Sequence, residues 1–71
     1  MAAAPLPLTN RQREIAELVA QGLSNKQIAD ELTLSVRTVE GNIYRSCTKL
    51  GLRDRTALGK LMRDLARTSS A

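Results

Sequence analysis

Residues 24–50, SNKQIADELTLSVRTVEGNIYRSCTKL, decide the fold. Ser24 followed by Gln27 is a capping box, in which each side chain satisfies a free backbone amide of the other residue. Ser35 repeats the N-cap chemistry ahead of a longer apolar-periodic run. Only Thr33 and Leu34 lie between the two expected helices. Two helices joined by so short a turn read as a helix-turn-helix, a device that sets one helix in the major groove of DNA.

Working outward, Ile28, Ala29 and Leu32 form one apolar stripe on the second helix, and Leu23 ahead of its cap can staple it to a core. The third helix, about 36–50, turns Val36, Val39, Ile43, Cys47 and Leu50 inward within one arc, with Gly51 as its stop and Leu52 beyond. Upstream, Thr9 and Gln12 make another capping box, and Ile15, Leu18 and Val19 repeat at helical spacing until Gly22, giving a first helix over about 10–21. Downstream, Asp54 opens a fourth helix with a stripe of Leu58, Leu61, Met62 and Leu65. No strand-like alternation occurs, so the expected fold is an all-α four-helix bundle containing a helix-turn-helix. Pro5 and Pro7 mark residues 1–7 as a flexible linker, 8–66 form the domain, and the Ser-rich end at 67–71 is expected to be a disordered tail.

Composition narrows the function. Seventy-one residues hold one small domain and no second core. Eleven Lys and Arg against seven Asp and Glu leave a net charge of +4, which favours a polyanionic partner. There is no His, and the single Cys excludes an internal disulfide or a cysteine-based zinc site within one chain. With no glycine-rich phosphate loop and no convincing acid-base pair, no enzyme, cofactor or metal is expected. No run approaches the roughly 18 apolar residues of a membrane span. The start lacks the basic leader of a signal peptide, so a cytoplasmic protein without a membrane partner is expected.

Opposite the apolar arc of the third helix stand Arg37, Gly41, Tyr44, Arg45 and Thr48, flanked by Thr38 and Lys49. This face suits a groove about 12 Å wide. Arg37, Arg45 and Lys49 can anchor phosphates, an arginine can instead read guanine bidentately, and Thr38 can offer a hydroxyl to a phosphate. Gly41 costs about 1 kcal/mol relative to alanine inside an exposed helix, which points either to close approach of a base edge or to a tolerated surface glycine. Asn25 and Lys26 open the second helix, where free amides and the dipole favour a phosphate; alternatively Asn25 only supports the turn. Tyr44 touches a sugar-phosphate or base edge, or lies on neighbouring side-chain stems. Cys47 is read as a small buried residue.

The residues Leu8, Thr9, Arg11, Glu14, Ile15, Gly22, Leu23, Ser24, Asn25, Lys26, Ile28 and Ala29 resemble the opening of the LuxR-type (GerE-like) domain. Leu32, Ser35, Thr38, Val39, Lys49, Leu50, Gly51, Arg53 and Arg55 continue the likeness. The resemblance implies the four-helix C-terminal output domain of a transcriptional regulator, binding double-stranded DNA through its third helix. It further implies that the fourth helix, through Leu58, Leu61, Met62 and Leu65, makes a dimer contact on DNA as well as covering the bundle; the alternative is that all four are ordinary core. Glu40 and Asn42 depart from the commoner pattern, Thr-Val-Lys followed by His two positions later. Glu40, on the groove face, then either accepts from a cytosine amino group or pairs with Arg37. The rival reading is a protein-interaction or sigma-like module that contacts RNA polymerase.

Overall fold

Each helix begins where a side-chain oxygen caps it. In the computed structural model, which describes residues 6–70 and their side chains as far as Thr68, α1 spans Asn10–Ala20, α2 Asn25–Leu32, α3 Val36–Leu50 and α4 Arg55–Ser70. Thr9 and Gln12 form both halves of a capping box, at 3.0 and 3.1 Å. Ser24 and Gln27 do the same, at 3.1 and 2.8 Å. Ser35 Oγ accepts the Thr38 amide at 3.0 Å, and Asp54 Oδ1 accepts that of Ala57 at 3.0 Å. These bonds satisfy amides that helix geometry leaves without partners.

The first three helices end by one shared device. A residue with left-handed backbone reverses the chain: Gly22 at φ 91°, Thr33 at φ 58° and Gly51 at φ 68°. The leucine that follows donates its amide to a carbonyl of the last turn, Leu23 to Leu18 at 3.2 Å, Leu34 to Ala29 at 2.8 Å and Leu52 to Cys47 at 2.8 Å. This is the Schellman closure. All three leucines pack against the core, so burial holds each turn in place.

The core takes Ile15, Ala16 and Val19 from α1, Ile28 and Ala29 from α2, Val39, Ile43 and Cys47 from α3, and Leu58 and Met62 from α4. Helix α1 is central and meets the other three, whereas α2 and α4 do not pack on each other. Gly59 faces α1, where a Cβ would make ordinary contacts with Val19 Cγ1 at 3.4 Å and Ala20 Cα at 3.6 Å. Arg63 Nη1 then donates to the Ala20 carbonyl at 3.0 Å, closing the end of α1. Among the described residues there is no strand.

Several expectations need correction. Val36, expected inward, is 39% exposed, because it is the first residue of α3, at the tip of the helix. Asn42 and Ser46 are buried instead. Asn42 Nδ2 donates to Thr38 O at 2.8 Å and Ser46 Oγ to Asn42 O at 2.8 Å. A polar side chain bonded to its own helix can enter a core at little cost.

The fourth-helix stripe is also uneven. Leu58 and Met62 are buried and Leu61 is half-buried, but Leu65 is 37% exposed. Leu6 and Leu8 already pack on the core, and α4 runs on to Ser70, beyond the boundary expected at 66. Most of the expected linker, residues 1–5, and Ala71 of the expected tail lie outside the described residues.

Leu58→Ala is expected to lose about 2–5 kcal/mol in urea denaturation, enough to unfold much of so small a domain. Leu65→Ala should lose less than about 1 kcal/mol. Equal losses would mean that the stripe is core along its whole length.

Candidate nucleic-acid interface

The burial that fixes α3 also determines what it leaves outside. Arg37, Glu40, Tyr44, Arg45 and Thr48 are exposed, Gly41 is half-buried, and Tyr44 stands out at 73% exposure. A shallow open hollow runs along this face, lined by Ser35, Arg37, Thr38, Glu40, Gly41, Tyr44 and Arg45. The Arg45 guanidinium lies over Gly41, where a Cβ would meet Nη2 at 3.5 Å. The missing side chain therefore leaves a slot that Arg45 covers in the free protein, and a small side chain there would meet only the end of a flexible arm.

The four ion pairs found among the described residues are Arg11–Glu14, Arg13–Glu17, Lys26–Asp30 and Asp64–Arg67. None involves α3. The Arg37–Glu40 pair that the sequence left open is thus not formed, and both arginines of the hollow carry their charge outward. Thr38 is exposed beside them, its Oγ1 accepting from Ser35 Oγ at 2.9 Å.

A second hollow lies where the starts of α2 and α4 meet the middle of α3. Its lining includes Asn25, Glu40, Ile43, Tyr44, Arg53 and Arg55. Arg55, the first residue of α4, donates through Nη1 to Asn25 Oδ1 and through Nη2 to the Leu23 carbonyl at 2.7 Å. It thereby ties together two helices that do not pack on each other. Asn25 is half-buried and held by this fork, which favours its turn-supporting reading over a free phosphate ligand. Lys26 is exposed, and its 3.5 Å pair with Asp30 joins two well-solvated side chains, so it is weakly held.

Lys49 is tied back as well. Its Nζ donates at 2.8 Å to Gln12 Oε1, the same oxygen that caps α1. Gln12 is buried, and its structural role went unnoticed beyond the capping box. Arg55 was visible only as part of a resemblance, because no local pattern announces a bond that spans from α4 to the α1–α2 turn. Burial first, and the negative charge of Asp54 second, push the Cys47 thiol above its ordinary value of 9.0, keeping it protonated and unreactive. Of the proposed dimer residues, Leu58 and Met62 belong to the core; Leu65 and part of Leu61 reach the surface.

Comparison with known proteins follows this geometry closely. The family described as bacterial regulatory proteins, luxR family, matches residues 6–62. The chain is 47% identical over 53 residues to the response regulator Rre1 of Synechocystis, covering 75% of this chain and 23% of that protein. It is 38% identical over 61 residues to the DNA-binding transcriptional activator DevR/DosR of Mycobacterium tuberculosis, covering 86% and 28%. With the oxygen regulatory protein NreC of Staphylococcus aureus it shares 45% identity over 51 residues, covering 72% and 24%. The chain thus spans about a quarter of the length of these relatives.

Replacing Arg55 with Met should cost about 1–3 kcal/mol, since two charge-assisted bonds are lost. Amide hydrogen exchange should quicken over residues 23–26. Arg55→Lys should recover only part, because an ammonium cannot fork to both acceptors. Unchanged stability and exchange in Arg55→Met would show that the fork holds nothing.

Proposed function

Because the chain belongs to the luxR family of bacterial regulatory proteins, we propose that it is the DNA-binding output domain of a longer transcriptional regulator, with the outer face of α3 seated in the major groove of duplex DNA. The observation that carries this reading is the division of α3: Val39, Ile43 and Cys47 are buried, while Arg37, Tyr44 and Arg45 are exposed and unpaired. A helix held from one side presents its other side rigidly, which groove recognition requires. The similarity to DevR/DosR, a DNA-binding transcriptional activator, supports the same reading.

In this proposal Arg37 and Arg45 neutralise phosphates or reach base edges, with Thr38 and Lys26 contacting the backbone at the helix starts. Lys49 joins them only by leaving Gln12, and Asn25 contributes by fixing the start of α2. Tyr44 and Thr48 face the groove. Self-association on DNA would use Leu65 and Leu61 of α4, pairing two α3 helices on an inverted repeat. Among the described residues no helix is long and apolar enough to cross a membrane, which agrees with a cytoplasmic regulator.

Selection of bound duplexes from a random library at near-physiological salt tests the whole reading. Two inverted half-sites about one helical turn apart are expected. Binding that barely responds to salt would instead favour a protein-interaction module contacting RNA polymerase, because phosphate contacts make DNA affinity steeply salt-dependent.

Two substitutions refine the test. Arg45→Ala is expected to weaken binding to all sequences alike and to flatten the salt slope by about one; a change of preferred sequence with unchanged non-specific binding would make Arg45 a base reader instead. Gly41→Val should keep the fold, because only the Arg45 guanidinium stands near a Cβ at that position, yet reduce DNA affinity. Retained affinity would show that nothing approaches the slot.

A further inference from the structure

We propose that Glu40 is a specificity-determining residue of this interface, selecting a cytosine in the major groove by accepting a hydrogen bond from its exocyclic amino group. The inference rests on the DNA-binding reading above and says which base chemistry the same face prefers.

Glu40 is exposed and lines both hollows. It stands on the ridge between them, beside Tyr44. Arg37 and Arg45 line one hollow with it, and Arg53 and Arg55 the other, together with Asp54, whose Oδ1 is taken up in capping α4. Its carboxylate nevertheless enters none of the ion pairs found among the described residues. Its capacity to accept hydrogen bonds is therefore free for a ligand. Asn42, the other departure from the commoner family pattern, is removed from consideration by burial and by its bond to Thr38 O at 2.8 Å.

The chemistry of the face then singles Glu40 out. Arg37 and Arg45 only donate hydrogen bonds, the hydroxyls of Thr38, Tyr44 and Thr48 do both, and an ionised Glu40 only accepts. In the major groove guanine shows N7 and O6 and thymine shows O4, all acceptors that repel a carboxylate. Adenine offers its amino group next to the N7 acceptor. Cytosine carries no major-groove acceptor of its own, and its amino group has an acceptor on one side only, O6 of the paired guanine, whereas that of adenine lies between N7 and thymine O4. A carboxylate among phosphates lowers affinity for every duplex, and the flanking arginines offset that loss. What remains is a difference between sequences, which is how a repulsive group raises specificity.

The test is parallel selection from one random duplex library by the unsubstituted chain, Glu40→Ala and Glu40→Gln, at a single near-physiological salt concentration. Circular dichroism confirms that the variants fold, as expected for an exposed position. The unsubstituted chain should enrich cytosine at one position of each half-site by about tenfold over the other bases. In Glu40→Ala that preference should fall below about twofold while binding to unselected duplex tightens. In Glu40→Gln it should move to adenine, whose amino group and N7 match an amide. Identical base preferences in all three, with both variants merely binding more tightly, would make Glu40 a repulsive surface charge and overturn the inference alone. Failure of the unsubstituted chain to bind any duplex, even at low salt, would overturn the DNA-binding reading and this inference with it.

Discussion

The direction in which α3 points depends on one backbone residue, Thr33, held at φ 58°. A left-handed conformation costs a non-glycine residue about 1–2 kcal/mol, and a β-branched side chain is among the least suited to it. The turn persists because three local gains converge on it. Leu34 donates its amide to Ala29 O at 2.8 Å, its side chain packs on the core, and Ser35 caps α3 immediately afterwards. No slack residue separates stop from start, so α2 and α3 act as one rigid unit. Gly22 and Gly51 make the same turn without steric penalty, at junctions that do not orient the exposed face directly.

From this unit follows the separation of stability from recognition along α3. The inward side holds Val39, Ile43 and Cys47 together with two polar residues, Asn42 and Ser46, whose bonds return to their own helix. The outward side contributes nothing to the core. Sequence can therefore change at positions 37, 40, 41, 44, 45 and 48 with little effect on folding, and such changes alter what the helix meets. Arg55 extends the same arrangement, since it joins the starts of α2 and α4 at the edge of the exposed face, in the hollow it shares with Glu40 and Tyr44.

Much of this was legible in the chain because helix signals are local. The capping residues Thr9, Ser24, Ser35 and Asp54, and the stops at Gly22 and Gly51, need only their near neighbours to act. The exposed set on α3 followed from periodicity alone. What escaped was tertiary or chemically disguised. Val36 has the right spacing for the core but lies at the tip of the helix, where it is left exposed. Asn42 and Ser46 read as surface residues on any hydropathy scale, since no scale registers a bond to the carbonyl one turn back. Lys49 reads as a phosphate ligand and Asn25 as either a phosphate ligand or a support of the turn, but their partners, Gln12 and Arg55, lie too far away in sequence to be legible.

These long-range partners imply that the interface is unevenly prepared for a ligand. Its margins are ordered before binding, with Asn25 held by Arg55 and Lys49 by Gln12. At its centre Arg37, Glu40 and Tyr44 are exposed and enter none of the ion pairs found among the described residues, and Arg45 lies over Gly41. Immobilising a long side chain costs about 0.5–1.5 kcal/mol, and this cost falls on the central residues when a ligand engages them. In the proposed DNA complex the held margins would fix position and register, and a duplex with the wrong base edges would leave Glu40 facing acceptors and the arginines in solvent, so that little would offset the ordering cost. Discrimination on such a surface comes from the residues that are free, and the structure leaves free the arginines and the one carboxylate at the centre of α3.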